Sequence, residues 1–288
     1  MFKGSFVALV TPFRSDLEVD YEALGRLVDF HLDKGTNGIV PCGCTGEAAT
    51  LSHDEQMAVI RFVTERVAGR IPVVAGTGSN NTKEAIGLTA HAKEVGCDGA
   101  LLITPYYNKP TPAGQKAHYR TVAEAVDIPI MLYNVPGRTG TKMTPETVAE
   151  LSETPNIVSI KEACGSVDQV SQILSLCGIN VVSGDDSLTL PMIAVGASGV
   201  VSVAANVVPA EVAALCAAAL EGDYAKAREV HYRLLPLCHG LFIETNPMPV
   251  KAALAKMGLI ENQLRLPLLP MTDESASRID PILKALGL

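Results

Sequence analysis

The sequence predicts an α/β protein: a closed (β/α)8 TIM barrel over residues 1–224, followed by a small C-terminal helical domain over residues 225–288. Three observations predict it. Short apolar, β-branched runs recur eight times along the chain. Their starts lie roughly 20–35 residues apart, the spacing of strand–helix units. The segments between them carry helix start and stop residues at their ends.

The expected strands are Ser5–Val10, Gly38–Pro41, Pro72–Ala75, Ala100–Thr104, Pro129–Tyr133, Ile157–Ile160, Asn180–Ser183 and Val200–Val203. Most are apolar almost throughout rather than alternating, as parallel strands covered on both faces require. Ser52-x-x-Glu55 and Ser166-x-x-Gln169 read as capping boxes, in which the hydroxyl accepts from the N3 amide and the longer side chain reaches back. Thr144 before Pro145 reads as an N-cap with proline at the first helical position. Gly35, Gly69, Gly96, Gly178 and Gly196 fall where helices should stop in a left-handed residue. A doubly wound open sheet is the competing arrangement. Against it, no Gly-x-Gly-x-x-Gly follows the first strand, and Gly76-Thr77-Gly78-Ser79-Asn80-Asn81 lacks the third glycine.

Ser187 to Ala210 contains no charged residue and is long enough to span a bilayer. Pro191, Gly196, Gly199, Asn206 and Pro209 interrupt it, so it reads as a buried helix followed by a buried strand. Beyond it, Glu211–Leu220 and Tyr224–Leu237 read as helices. Pro247, Pro249, Pro267 and Pro270 break up the remainder, and Ile279–Leu286 closes the chain.

Composition narrows the function. Lys and Arg number 23 against 31 Asp and Glu, a net charge of −8, which argues against a nucleic-acid footprint. With 48% apolar and 19% charged residues, extensive disorder is excluded. Seven scattered cysteines, an odd number, and a start that runs straight into strand-like sequence point to reduced thiols in a cytoplasm. Cys42-x-Cys44 has no second cysteine pair or histidine cluster to complete four ligands, so no metal is expected.

In a barrel of this kind the chemistry sits at the C-terminal strand ends. Those ends carry Thr11, Gly43–Glu47, Thr77, Tyr106-Tyr107-Asn108, Tyr133-Asn134, Lys161-Glu162, Gly184-Asp185-Asp186 and Asn206. Lys161 ends an apolar strand. Burial there would leave a neutral amine able to attack a ketone; the competing reading is a rim lysine paired with Glu162 or another acid. Tyr133 could shuttle protons beside such an amine, or simply rest its ring in the core with its hydroxyl in water. Arg138, in the Pro/Gly-rich loop Val135–Gly140, could present a fork to a carboxylate, or lie solvated. Gly43–Gly46 could receive an anion on its amides, or form a plain turn. Asp185-Asp186 after the seventh strand argues against a phosphate substrate.

Gly43-x-Thr45-Gly46-Glu47, Thr104-Pro105-Tyr106-Tyr107-Asn108, Tyr133-Asn134-Val135-Pro136-Gly137-Arg138-Thr139 and Ile160-Lys161-Glu162-Ala163 together resemble the dihydrodipicolinate synthase family. Ser183-Gly184-Asp185-Asp186 and Asn246-Pro247-x-Pro249-Val250-Lys251 belong to the same likeness, which covers essentially the whole chain. The Arg138 loop and the Tyr106-Tyr107 pair favour the synthase over sugar-acid or sialic-acid aldolases that use the same imine. A catalytically silent, metabolite-binding barrel is the alternative from another class.

The resemblance implies a homotetramer, a dimer of dimers, that needs no cofactor. It implies that Lys161 forms an imine with pyruvate, and that the enamine adds to L-aspartate 4-semialdehyde. The product would be 4-hydroxy-tetrahydrodipicolinate, on the route to diaminopimelate and lysine. Tyr133 would relay protons, Thr45 hold the pyruvate carboxylate, and Arg138 bind the semialdehyde carboxylate and help place Tyr133. Tyr107 would reach into the neighbouring subunit's site, and Gly184 and Val201 would line the pyruvate pocket. Cys44 stands where the family usually has a threonine of the hydroxyl relay; a thiol is a weaker hydrogen-bonding group. An L-lysine effector would meet Ala48, Ala49, His53, Gln56, Asn80, Glu84 and Tyr106.

Overall fold

The structure, a computed structural model, describes residues 2–288. The eight strands are β1 (Gly4–Ala8), β2 (Gly38–Val40), β3 (Val74–Gly76), β4 (Gly99–Ile103), β5 (Ile130–Asn134), β6 (Ile157–Glu162), β7 (Asn180–Ser183) and β8 (Gly199–Ser202). Between and beyond them run α1 (Tyr21–Asp33), α2 (His53–Val67), α3 (Thr82–Glu94), α4 (Pro112–Ala125), α5 (Pro136–Thr139), α6 (Pro145–Ser152), α7 (Val167–Leu176), α8 (Thr189–Ala194), α9 (Pro209–Leu220), α10 (Tyr224–Gly240), α11 (Met248–Lys256) and α12 (Asp273–Ala285).

The sheet runs β2-β1-β8-β7-β6-β5-β4-β3, parallel throughout. A parallel bridge between Ile39 and Val73, with Ile39 N donating to Pro72 O and Gly76 N to Pro41 O, joins β2 to β3 and closes it. The fold is therefore the expected (β/α)8 barrel, with further helices at the C-terminus. Side chains alternate across each strand. Phe6, Ala8, Val40, Val74, Leu101, Met131, Tyr133, Val182 and Val201 fill the barrel. Val7, Ile39, Ala75, Leu102, Leu132, Ile160 and Val181 face the helices.

Local chemistry starts most of the helices. Asp20, Ser52, Asn81, Thr111, Thr144 and Ser166 each accept from a backbone amide of the helix they cap. The box at Ser52 is complete. At Ser166 only half of it forms: the Gln169 side chain donates to Glu162 and to Met143 O instead, because a buried carboxylate lies within reach. Gly35, Gly69, Gly96 and Gly196 take positive φ at helix ends, whereas Gly178 does not; the Cys177 cap there is extended.

The uncharged stretch from Ser187 folds as α8 and β8, and no helix of the described residues is long and apolar enough to cross a membrane. Two C-terminal segments exceed the expectation. α11 forms despite Pro247 and Pro249, since both lie at its start, where a missing N–H costs nothing. α12 begins at Asp273 rather than Ile279, its first turn capped by Thr272.

Candidate active site

Lys161 and Tyr133 are register partners on adjacent strands, and both point into the barrel. Lys161 is buried, with Nζ lying 4.2 Å from the centroid of the Tyr133 ring. Glu162, the next residue, necessarily faces the other way. Its carboxylate accepts from Asn134 Nδ2 (3.0 Å), Gln169 Nε2 (2.9 Å) and Cys164 N (2.8 Å). The paired-lysine reading thus fails on strand geometry, and among the described residues Lys161 has no ion-pair partner.

Burial pulls the Lys161 ammonium down from an ordinary 10.5 to about 8, while Cys44 and Asp186 oppose the shift. Burial pushes the Tyr133 phenol well above 10, with Cys44 adding to the rise and Arg138 working against it. The site therefore holds an amine that readily loses its proton beside a phenol that keeps its own. Gly184 follows β7 against the lysine: a Cβ there would lie 2.9 Å from Lys161 Cε and 2.7 Å from Ala163 Cβ. Only glycine leaves room for the lysine chain. Val201 on β8 lines the same interior.

The Gly43–Glu47 segment lies over this group. Thr45 is buried, and its hydroxyl accepts from Asn246 Nδ2 at 2.9 Å, which leaves its proton free to donate. Asn246 Oδ1 is buried without a hydrogen-bond partner among the described residues. Arg138 does not sit in an open loop. It belongs to the single helical turn α5, and its Nη2 donates to Asn246 O at 3.0 Å. Asp186 also departs from expectation. Rather than confronting ligands at the mouth, its buried carboxylate accepts from Ser202 Oγ, Val203 N (2.9 Å) and Ala204 N (3.0 Å). The amides after β8, where a phosphate would bind in many barrels, are thereby occupied from within.

A cavity of about 860 Å³ opens beside these residues. Cys44, Tyr107, Tyr133, Arg138 and Asn246 line one part of it. Ala48, Ala49, His53, Gln56, Glu84 and Tyr106 line the rest, so the two predicted groups share one concavity in the protomer. Tyr107 takes a left-handed φ of 67° and is 89% exposed at its edge. Glu84 accepts from Ser79 Oγ (2.8 Å) and Asn81 Nδ2 (3.0 Å), with His53 Nε2 at 3.9 Å. Gln56 is committed to Gly76 O at 2.9 Å. Asn80 is not among the lining residues; its carbonyl accepts from Asn108 Nδ2.

Sequence reasoning passed over Asn246, Glu47 and Lys251 as site residues. Their motif membership was visible, but what they touch was not. No group of three or more His, Cys, Asp or Glu among the described residues is arranged to hold a metal.

Residues 1–286 match the Dihydrodipicolinate synthetase family. The 4-hydroxy-tetrahydrodipicolinate synthase of Pelobacter propionicus is 56% identical over the full length of both chains. The crystal structure of dihydrodipicolinate synthase from Aquifex aeolicus superposes with a TM-score of 0.98 at 54% identity, covering 100% of this chain and 99% of that one. The enzyme from Cyanidioschyzon merolae, solved with lysine bound, gives a TM-score of 0.97 at 41% identity, with the same coverage.

Proposed function

The chain belongs to the dihydrodipicolinate synthetase family, and on that premise we propose that Lys161 forms an imine with pyruvate inside the barrel mouth. The protein condenses pyruvate with L-aspartate 4-semialdehyde to give 4-hydroxy-tetrahydrodipicolinate, a lyase reaction of lysine and diaminopimelate biosynthesis. The observation that carries the assignment of Lys161 is a buried, unpaired lysine whose ammonium is destabilised, 4.2 Å from a tyrosine ring.

The neutral amine attacks C2 of pyruvate, and the carbinolamine loses water to give the imine. Tyr133, held protonated by burial, donates to the departing hydroxyl. Removal of a C3 proton gives the enamine. Its carbon bonds to the aldehyde carbon of the second substrate, and the aldehyde oxygen takes a proton. The substrate's own amine then attacks C2, closing the ring and releasing Lys161. Thr45 Oγ1 donates to the pyruvate carboxylate, and Gly184 and Val201 wall the pocket around its methyl group. Arg138, anchored through Asn246 O, receives the semialdehyde carboxylate. Cys44 stands in the relay with Tyr133 and Tyr107.

We assign the exposed Tyr107 ring to the adjoining subunit's site, in a homotetramer built from dimers. The lysine-bound relative supports an L-lysine effector; we assign it to Ala48, Ala49, His53, Gln56, Asn80, Glu84 and Tyr106, of which all but Asn80 line the cavity. Seven free thiols fit a cytoplasmic setting.

Borohydride reduction in the presence of pyruvate, followed by peptide mapping, tests the central assignment. An adduct on Lys161 is expected. No adduct, or one on another lysine, refutes it.

A further inference from the structure

One buried ion pair stands outside the chemistry just described. Glu47 Oε1 lies 2.5 Å from Lys251 Nζ, the two side chains 1% and 0% exposed. Desolvating both ions offsets most of their attraction, so such a pair is weak as a source of stability. What it supplies is direction, because a charged hydrogen bond in a dry site holds one geometry.

The geometry links the C-terminal helices to the turn over the imine site. Glu47 closes the Gly43–Glu47 segment on a left-handed φ of 53°, two residues past Thr45 and three past Cys44. Lys251 lies in the first turn of α11. The second Glu47 oxygen accepts from Arg265 N at 3.4 Å. Phe13 backs both cations, with Lys251 Nζ 4.2 Å and Arg265 Cζ 4.5 Å from its ring centroid. The Arg265 guanidinium continues to Leu17 O, Thr50 O and the Glu55 carboxylate. Just before α11, Asn246 bonds Thr45 and accepts from Arg138. The segment from Asn246 to Arg265 thus grips both sides of the substrate pocket.

We propose that Glu47 and Lys251 are positioning residues for α-keto acid binding: the pair draws the Gly43–Glu47 turn onto α11 and so sets where Thr45 Oγ1 meets the substrate carboxylate. This rests on the pyruvate reading above. The pair touches no reacting atom; it acts through Thr45. Shortening Glu47 by one methylene, or discharging the pair, moves the turn without altering Lys161 or Tyr133.

The test compares the full-length enzyme with Glu47→Asp and with the double variant Glu47→Gln/Lys251→Met. Measurements are steady-state rates against each substrate, borohydride trapping against pyruvate concentration, and Tm. The double variant leaves no lone buried charge, so its fold is expected to survive. Both variants are expected to raise the KM for pyruvate about tenfold, with kcat within about threefold and a smaller change in KM for the semialdehyde. Folded variants with the parent's KM for pyruvate, or with a loss confined to kcat, overturn the proposal and leave the pair a structural contact. If the double variant does not fold, Glu47→Asp, which keeps both charges, decides between the same outcomes. Absence of a trapped adduct in the parent enzyme refutes the imine reading itself. A normal parent adduct with unshifted variants refutes only the positioning role.

Discussion

Replacing Lys161 by methionine removes the proposed nucleophile and also relieves a cost that the fold carries. Burial lowers the lysine from 10.5 to about 8. At roughly 1.4 kcal/mol per pH unit, keeping that ammonium in the barrel costs about 3 kcal/mol whenever the group is charged in both folded and unfolded chains. The sign follows from proton binding. Between about 8 and 10.5 the unfolded chain holds the proton and the folded chain does not, so stability rises with pH across that window. The penalty is fully present below about 8 and gone above 10.5. Methionine is similar in length, fills the same space and carries no charge. Lys161→Met is therefore expected to be inactive, to give no borohydride adduct, and to be more stable than its parent at pH 7 by about 1–3 kcal/mol. Urea unfolding of both proteins at pH 7, 8.5 and 10 measures the difference. It should shrink as pH rises through the window. Equal stability at pH 7, or a gain that does not diminish with pH, would refute the claim that burial holds this amine near neutrality.

Arg138→Ala is expected to slow the semialdehyde step by about 1.5–3 kcal/mol while leaving borohydride trapping of pyruvate largely intact, and Arg138→Lys should fall short of rescue because it lacks the fork. Equal damage to both half-reactions, read from single-turnover kinetics, would count against the carboxylate role. Cys44→Thr should preserve or raise turnover and Cys44→Val should lower it; an unchanged rate in the valine variant would mean that the thiol only packs. L-lysine is expected to release or absorb heat on titration and to inhibit at subsaturating pyruvate, with Glu84→Ala weakening both effects. Binding unchanged in that variant would place the effector elsewhere.

Each strand was legible because a parallel barrel strand is one short, nearly continuous apolar run, and the eight runs lie within a few residues of their observed bounds. Lys161 stood out for the same reason: a cation at the end of such a run has few structural uses. Thr144 and Ser52 declared their helices through contacts only three residues long. Ser166-x-x-Gln169 offered the same local pattern, yet Gln169 found a buried carboxylate, and local pattern has no access to that competition.

Residue order along the chain was thus enough for the barrel and its periodic core, and it put Lys161 and Tyr133 at strand ends as candidates, since each follows from neighbours a few positions apart. Tertiary structure alone decided which distant groups complete the site. Thr45 meets Asn246 across 201 positions, and Glu47 meets Lys251 across 204. Arg138 is fixed by a carbonyl 108 residues away, and Asp186 turns inward to fill the amides after β8. Such pairings exist only once closure of the sheet brings the C-terminal helices over the barrel mouth. Their energies come from desolvation and geometry in that closed space, and neither is written in any local stretch of sequence.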